Sequence, residues 1–476
     1  MAFVLFFIAL FGLYCTIWIN KWRNPNCKGV LPPGSMGLPF IGETLELIKP
    51  SYSLGTHPFI KKRIQRYGPI FRSNIAGRPI VISTDQEFNR YIINKEGTLV
   101  ELWYLDTFSK IFSLEGESKI NMSGYIHKFI RGALLSQLGT ESLKTKLLPQ
   151  IENLVTKTLY SWSNQDAVNV KDAVSTAICD FTAKLFCGYD DKGSPDKLSE
   201  MLKMFSGSLL AFPLNIPGTK YHKSLKAKEK VMKILRRKIM ERRSSLVERE
   251  DGNEDFLDIA LKQMEKDKIF TYDFIANLLF AFLFASLESI SLTITLMLKF
   301  LLTHPQVLQD LMAEHESILQ NRRPDSPIKW EEFKSMIYTQ QVVNETLRFF
   351  NTLPGLLRKA IKDIQYKGYT IPAGWSIMAV VFERHMNPEV YKDPLVFNPA
   401  RWKEFDSLTI SKNFTPFGGG GMRQCVGADY TRVTMTLFLH VLVTKYKWTQ
   451  IKEGKVVQFP LLELGKDLHV KLFEKQ

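Results

Sequence analysis

Residues 270–302, FTYDFIANLLFAFLFASLESISLTITLMLKFLL, form a long apolar stretch that strongly constrains the fold. As one helix it would be roughly 45 Å long at ~1.5 Å per residue, enough to cross a bilayer or a whole globular domain. Glu288 lies near its middle with Ser286, Ser289 and Ser291 around it. A carboxylate at the centre of a bilayer costs at least a few kcal/mol. We therefore predict a buried core helix, because a helix that is apolar on all sides belongs in the core of a large protein.

A second apolar segment, residues 2–19, contains no charge and is followed by Lys21, Arg23 and Lys28. It is long enough to span a bilayer with little tilt. A cleaved signal peptide would have a shorter apolar core and a small-residue cleavage site, whereas bulky residues follow here. The sequence predicts an uncleaved transmembrane anchor over 1–20, and the positive-inside tendency places the rest of the chain in the cytosol.

Charge and cysteine content narrow the partners and the compartment. Lys and Arg outnumber Asp and Glu by 63 to 48 over 476 residues, so the formal net charge is +15. This excess favours a membrane surface or an acidic protein as partner. Nucleic acid is disfavoured, because the dense cationic run at 226–243 is typical of a solvated helix face. The five cysteines form no CxxC pair, which indicates a reducing compartment.

The pattern behind the anchor is mainly helical. Residues 21–42 are basic and proline-rich, which predicts an extended hinge before a domain at 43–476. Alternation at 67–84 predicts a hairpin, and 353–381 predicts short strands. Helical spacing or long apolar faces predict helices over 142–163, 168–188, 195–212, 222–248, 271–302, 331–350 and 428–445. The fold class is mainly α with small β-sheets, behind a single N-terminal transmembrane helix.

The segment PFGGGGMRQCVG, residues 416–427, places four consecutive glycines shortly before Cys425. It lacks the third glycine of a dinucleotide-binding loop and the Gly-Lys-Ser/Thr ending of a P-loop, so both phosphate motifs fail. Cys425 stands just before a predicted helix whose dipole would favour a thiolate, and Arg423 adds positive charge. From these residues alone, two interpretations stay open: a thiolate ligand beside a flat cofactor, or a buried cysteine after a flexible turn.

The same segment resembles the haem-binding loop of the cytochrome P450 family. That loop reads Phe, two residues, Gly, one residue, Arg, one residue, Cys, one residue, Gly; here Gly421, Arg423, Cys425 and Gly427 fall in place. Phe417 lies one position too early, because the loop contains an extra glycine. The resemblance implies a cytochrome P450 fold, a haem b cofactor and Cys425 as the axial ligand of its iron.

Further segments match the family in the family's order. NETLR supplies Glu345 and Arg348, an i,i+3 pair on one helix face, and FNPARW supplies Arg401. The resemblance implies that these three residues form a charged network that fixes the loop around the cysteine.

Three basic residues are matched to the cofactor's propionates. PGLLR supplies Arg358, and YIHKFIR places His127 and Arg131 one turn apart on one face. An isolated His and Arg on a helix face is usually just solvated, so their role as propionate ligands is implied by the resemblance and not by their spacing.

The middle of the long apolar segment matches the family's proton-relay motif, Ala/Gly-Gly-x-Asp/Glu-Thr, with residues 285–289. The resemblance implies that Glu288 and Ser289 relay protons to the haem's distal side. The alternative is that Glu288 is a buried, structurally bonded carboxylate. This chain departs from the common form, because Ser286 replaces the glycine and Ser289 the threonine. Serine keeps the hydroxyl but lacks the methyl that restricts its rotamer, which predicts looser coupling of oxygen activation.

No flavin or nicotinamide motif occurs in the chain, so its electrons must come from another protein. The resemblance implies NADPH–cytochrome P450 reductase as that partner, and an endoplasmic reticulum location. FNPARW, FASLES and LVTKYKW look most like the plant microsomal branch acting on sterols, brassinosteroids and triterpenoids. The resemblance therefore implies a monooxygenase that oxidises a lipophilic substrate of this kind with O2.

The substrate pocket is the least constrained part of the prediction. We expect Trp103, Ala281, Ala285 and Leu353 to line the distal side of the haem, and the apolar loop 211–222 to contact the membrane. Two other functions stay open at this point: a thiolate-haem isomerase or lyase that needs no reductase, and a haem-binding membrane protein without turnover.

Overall fold

The long apolar segment forms a single helix from Tyr272 to Thr303. Thr271 caps it by accepting a hydrogen bond from the backbone N–H of Phe274. The length and composition of this helix would allow it to cross a membrane, yet 67% of its apolar window is buried. The prediction of a core helix is therefore confirmed. The structure is a computed structural model and describes residues 2–112, 124–190, 197–205, 214–245, 254–320, 322–323, 326–350, 354–459, 461–464 and 468–475.

Helices make up most of the fold. In chain order they are α1 (Ala2–Arg23), α2 (Thr44–Leu47), α3 (Pro58–Tyr67), α4 (Gln86–Ile93), α5 (Asp106–Phe112), α6 (Gly124–Leu138), α7 (Thr140–Ser142), α8 (Leu148–Ser163), α9 (Val170–Cys187), α10 (Leu198–Lys203), α11 (Lys220–Ser244), α12 (Phe256–Lys266), α13 (Tyr272–Thr303), α14 (Pro305–Gln320), α15 (Trp330–Ser335), α16 (Ile337–Phe349), α17 (Ser407–Asn413) and α18 (Ala428–Lys445). A π-helical turn, Leu143–Leu147, joins α7 to α8, and 3₁₀ turns cover Val381–Met386 and Pro399–Lys403.

The strands form small sheets at the periphery of the helices. They are β1 (Ile70–Ile75), β2 (Arg78–Ser83), β3 (Val100–Leu102), β4 (Val168–Asn169), β5 (Leu356–Ala360), β6 (Ile364–Tyr366), β7 (Tyr369–Ile371), β8 (Ser376–Ala379), β9 (Tyr446–Lys452), β10 (Val456–Phe459), β11 (Leu461–Leu464) and β12 (His469–Glu474). The largest sheet has the order β1-β2-β8-β5-β3, with β2 and β8 parallel and its other pairs antiparallel. The others are β4-β12-β9, β10-β11 and β6-β7.

The main core surrounds α13, which packs against α9, α11 and α16. A second cluster lies on one face of the large sheet and includes Met36, Ile70 and Trp375. Trp22, from the last turn of α1, packs against this second cluster. The hinge is therefore docked on the body, and Trp18 also contacts Phe40, with ring centroids 5.0 Å apart.

Most predicted elements are confirmed, with shifted ends. The hairpin at 67–84 is β1–β2, the strands of 353–381 are β5–β8, and 428–445 is α18. The predicted helix 222–248 begins two residues earlier, because Thr219 caps α11 by accepting from the N–H of His222, and it ends at Ser244. Similarly, 142–163 begins with the α7 turn and the π-helical turn.

Two predicted helices are wrong in part. The helix predicted over 331–350 is broken between α15 and α16, because Met336 has a non-helical backbone with ψ at 61°. Of the helix predicted over 195–212, the structure contains α10 at Leu198–Lys203. Residues 206–213, including the start of the predicted membrane-contacting loop, lie outside the described residues.

The N-terminal segment forms a helix over Ala2–Arg23, slightly longer than the predicted anchor. Bulky apolar side chains project to the outside along it, including Phe6, Phe11, Leu13 and Ile17, which are 49–68% exposed.

Candidate active site

The loop before Cys425 is held in a backbone conformation that favours glycine. Gly418, Gly419, Gly420 and Gly421 all have positive φ, between 71° and 103°. A side chain would be strained at each of these positions. The loop closes through a 3.0 Å hydrogen bond from the Cys425 N–H to the Phe417 carbonyl. The extra glycine is therefore accommodated within a closed turn.

The Cys425 thiol is enclosed by protein but retains accessible surface. Its surface is exposed, yet burial raises the pKa of the Cys425 thiol, while a hydrogen bond from the Gly427 N–H and the charge of Arg131 lower it. Accessible surface in dense surroundings indicates a residue that lines an internal cavity. The cation acting on the thiol is Arg131, which donates to the carbonyl of Gln424 at 2.6 Å.

Glu345 is the centre of a fully buried network, which we call the Glu345 network: Glu345, Arg348, Arg401 and Trp402. Its carboxylate accepts two hydrogen bonds from Arg348, at 2.9 and 3.0 Å, and one from Arg401 Nε at 3.1 Å. Trp402 Nε1 donates to it at 3.0 Å. Glu345 and Arg348 side chains are 0% exposed. The structure thus brings the three predicted network residues together.

Arg358 and Arg423 meet at a carboxylate that the sequence did not indicate. Glu96 pairs with Arg423 Nη2 at 2.7 Å and with Arg358 Nη2 at 3.2 Å. Arg423 is thus paired with a carboxylate, and the charge that acts on the Cys425 thiol comes from Arg131. Arg358 is almost buried, and its Nε has no hydrogen-bond partner among the described residues.

Tyr104 lies beside the same charges. Burial raises the pKa of Tyr104, and the charges of Arg358 and Arg423 lower it. Its surface is nevertheless 40% exposed. Like Cys425, Tyr104 therefore lines a cavity.

His127 and Arg131 lie on α6, as the sequence predicts. His127 is half-buried, and its pKa is lowered by burial and by the charges of Arg423 and Arg131. His127 thus lies within the electrostatic range of both arginines, so the structure places His127, Arg131, Arg358 and Arg423 around one region.

The middle of α13 has small residues on the helix face that is least buried by the rest of the protein. Ala285 is exposed although Phe284 and Leu287 beside it are buried, and Ala281 is half-buried one turn earlier. Residues four apart share a helix face, so Ala281, Ala285 and Ser289 lie on the same side. Ser289 donates its hydroxyl to the carbonyl of Ala285 at 2.7 Å.

Glu288 lies in an ion pair with α9. Its carboxylate accepts from Lys171 Nζ at 2.8 Å, and the two side chains are 24% and 21% exposed. Ser286 also turns to α9, and its hydroxyl contacts Thr182 Oγ1 at 3.3 Å. The serine that replaces the family's glycine therefore joins α13 to α9.

The remaining predicted residues have mixed placements. Phe417 packs on the main core and lies 5.2 Å below the Arg432 guanidinium. Trp103 contacts Arg78 at 5.9 Å, on the exposed end of β2, while its neighbour Tyr104 reaches the arginines. Leu353 lies outside the described residues.

Three features of these residues fit a haem. A cysteine sulfur is accessible in an enclosed place, which suits an axial ligand. Arg358 carries a buried donor without a partner, which suits a carboxylate such as a propionate. Ala285 is a small, accessible residue on a largely buried helix, which leaves space for a cofactor or substrate beside it. Together they define the class of protein, a haem-thiolate protein.

The comparisons with known proteins agree with this class. The sequence profile "Cytochrome P450" matches residues 32–466. The chain is 49% identical over 99% of both chains to a cucurbitadienol 11-hydroxylase of Siraitia grosvenorii. It is 46% identical over 98% of both chains to a beta-amyrin 16-alpha-hydroxylase of Maesa lanceolata. Among solved structures, retinoic acid bound cyanobacterial CYP120A1 superposes with a TM-score of 0.81 at 25% identity, covering 94% of this chain and 100% of that one. The chain belongs to the cytochrome P450 family, and it is a haem-binding monooxygenase.

Proposed function

We propose that this cytochrome P450 hydroxylates or further oxidises a triterpenoid, or a closely related sterol, with O2. The observation that carries the substrate class is the likeness over nearly the whole chain to two triterpenoid hydroxylases, one of cucurbitadienol and one of beta-amyrin. A cholesterol 22-monohydroxylase of Paris polyphylla is more distant, at 34% identity. A tetracyclic or pentacyclic triterpenoid is therefore the first substrate to test, before a sterol.

The chain's own residues have distinct roles in this proposal. Cys425 would hold the haem iron, and Arg358, Arg423, His127 and Arg131 would hold its propionates. A thiolate-ligated haem supplies an oxidant able to insert one oxygen atom of O2 into an unactivated C–H bond. The protein excludes water and orients the substrate, and Ala281 and Ala285 leave room for a rigid, bulky skeleton beside α13.

Proton supply is assigned to Ser289 and Glu288. The Ser289 hydroxyl has a fixed acceptor in the Ala285 carbonyl, so its own oxygen is free to accept a proton donor on the open side of the helix. Glu288 is partly accessible and can exchange protons with solvent along the α9–α13 seam. A carboxylic acid and an alcohol in this order form a path for protons towards the distal side.

The cellular setting belongs to the same proposal. Helix α1 would anchor the chain in the endoplasmic reticulum membrane as a single pass, with the catalytic domain, 43–476, in the cytosol. Its exposed apolar side chains support this assignment. Electrons would come from NADPH–cytochrome P450 reductase, since a cytochrome P450 of this kind carries no flavin of its own.

The test is co-expression with the reductase in a host that makes cucurbitadienol or beta-amyrin, with mass spectrometry of the products. We expect a product heavier by one oxygen atom, which disappears in Cys425→Ser. Cys27→Ser is the matched control and should keep the product, because Cys27 is half-buried near Thr370 in the hinge region. Conversion of cholesterol but of neither triterpenoid would overturn the substrate class.

A further inference from the structure

The 3₁₀ turn Val381–Met386 is hydrogen-bonded to the segment just before the cysteine loop, which we define as residues 416–427. Arg384 donates from Nε and Nη2 to the side-chain oxygen of Asn413, at 2.9 and 2.6 Å. Next to it, Nε2 of His385 accepts a hydrogen bond from the backbone N–H of Thr415 at 3.0 Å. Two adjacent side chains of one turn therefore hold the backbone segment that leads into the four glycines.

His385 also touches the Glu345 network. Its carbonyl accepts from Arg348 Nη1 at 2.9 Å, and its side chain is almost completely buried, at 1% exposure. Beyond Thr415, the hydrogen bonds continue from the Gly418 N–H to the Thr415 carbonyl and from the Cys425 N–H to the Phe417 carbonyl. One residue thus joins the buried network to the chain that ends at the cysteine.

The hydrogen bond at Nε2 determines which tautomer the neutral imidazole of His385 adopts. A ring nitrogen that accepts from a backbone N–H carries no proton, so the neutral ring of His385 has its proton on Nδ1. Nδ1 is buried, and the backbone carbonyl of Arg348 lies close enough to the ring to raise its pKa. Burial, together with the charge of Arg348, lowers the pKa of His385 to about 3, which agrees with a neutral ring.

The backbone N–H of Thr415 needs an acceptor at this partly buried position, and Nε2 of His385 supplies it. An apolar side chain of similar size would fill the same space but would leave this N–H without an acceptor. The feature of the imidazole that packing alone does not explain is therefore the acceptor at Nε2.

We propose that His385 is a positioning residue for the cysteine ligand. Its carbonyl is bonded to the buried Glu345 network and its Nε2 accepts from Thr415, so His385 restrains the position of the loop that presents Cys425. The inference rests on the haem-thiolate assignment. It assigns a role to a residue outside the cysteine loop and outside the Glu345 network.

The test compares two amide variants that differ in reach. The side-chain oxygen of Gln in His385→Gln can lie where Nε2 lies, whereas the shorter Asn in His385→Asn reaches only the position of Nδ1. The readout is the carbon monoxide spectrum of the reduced holoenzyme, which separates the thiolate-ligated form from the form that has lost thiolate ligation. Thermal unfolding of each variant is measured alongside.

We expect His385→Asn to raise the ratio of the form without thiolate ligation to the thiolate-ligated form by roughly fivefold, which is the effect of losing one hydrogen bond. His385→Gln should stay within about twofold of the parent protein. The matched control is His315→Asn, since His315 is equally buried but bonds to Thr339 and His440 away from the loop. It should lower the unfolding temperature without changing the ratio.

Each outcome decides the proposal. If His385→Asn yields no holoprotein while His385→Gln yields a normal one, the acceptor is required and the proposal is supported. Equal spectra for His385→Asn and His385→Gln, or an equal change in His315→Asn, would overturn it. If the parent protein itself lacks the thiolate band, the haem-thiolate assignment fails first, which separates the two failures.

Discussion

The two sides of the proposed haem position are held by different kinds of contact. On the cysteine side, Glu345 and Arg348 are 0% exposed, and the Glu345 carboxylate accepts hydrogen bonds from three side chains. On the α13 side, Glu288 is 24% exposed and bonds to Lys171 across the seam with α9. The first arrangement cannot change without leaving buried charges unpaired, whereas the second can exchange partners with water.

This difference matches what each side must do. A metal ligand has to stay in one place, so a buried and fully bonded network suits the cysteine side. A proton relay has to release and recover protons in every cycle, so a partly accessible carboxylate suits the α13 side. The comparison therefore predicts that substitutions on the cysteine side change folding and haem ligation, and that those on the α13 side change turnover.

The largest effect is expected from Glu345→Gln. The change leaves Arg348 and Arg401 buried without a negative partner, and we expect the free energy of unfolding to fall by roughly 3–5 kcal/mol. Urea unfolding and the haem content of the purified protein measure this loss. Glu331→Gln is the control, since the Glu331–Lys334 pair is exposed and should contribute less than about 1 kcal/mol. Equal losses for the two variants would contradict the rigid side of the comparison.

Glu288→Gln should act on turnover and not on ligation. We expect kcat to fall by about 100-fold with an unchanged carbon monoxide spectrum and a larger solvent isotope effect, because the proton source is lost. Asp273→Asn is the control on the same helix, since Asp273 is 57% exposed and pairs with Arg236.

Lys171→Met separates the relay from simple pairing of Glu288. If Glu288 serves only as the structural partner of Lys171, then Lys171→Met and Glu288→Gln lose similar stability and both keep full turnover. That result would remove the distinction between the two sides.

The smallest effect is the contribution of His385, on the cysteine side, to the pH dependence of stability. Burial lowers the pKa of His385 to about 3, from an ordinary value of 6.5, so between these values the unfolded chain binds a proton that the folded chain does not. The stability that this residue contributes is therefore fully present well above pH 6.5 and falls as the pH drops through 6.5, by roughly 1 kcal/mol at pH 6. Unfolding measured between pH 8 and pH 6 should show this slope.

The control for the pH dependence is His385→Gln, which has no titrating ring. It should lose the contribution of His385 and unfold with a flatter pH profile over the same range. Identical profiles for the parent protein and the variant would contradict a neutral, buried His385.

Much of the cysteine side could be predicted from the sequence. Its residues occur in motifs that resemble those of the family, and this resemblance of NETLR and FNPARW already indicated Glu345, Arg348 and Arg401. Their spacing alone would have favoured an ordinary surface pair for Glu345 and Arg348. The long core helix was also predictable, because a carboxylate in the middle of an apolar stretch disfavours a membrane span.

Other residues gave no signal in the sequence. Glu96 precedes Gly97 in an ordinary polar segment, and its contacts with Arg358 and Arg423 come from elements far apart in the chain. Lys171 likewise meets Glu288 only because α9 and α13 pack together. His385 was not singled out, since a single histidine outside a motif is usually an ordinary core or surface residue. The helix break at Met336 depends on packing and not on helical spacing.

The end of α1 is part of the body, because Trp22 packs on the second core cluster and Trp18 contacts Phe40. With α1 in a bilayer, these contacts would make the connection between anchor and catalytic domain rigid and not flexible. The tilt of the catalytic domain over the lipid would then follow the tilt of the anchor, and the route by which a water-insoluble substrate enters would keep a constant height above the lipid.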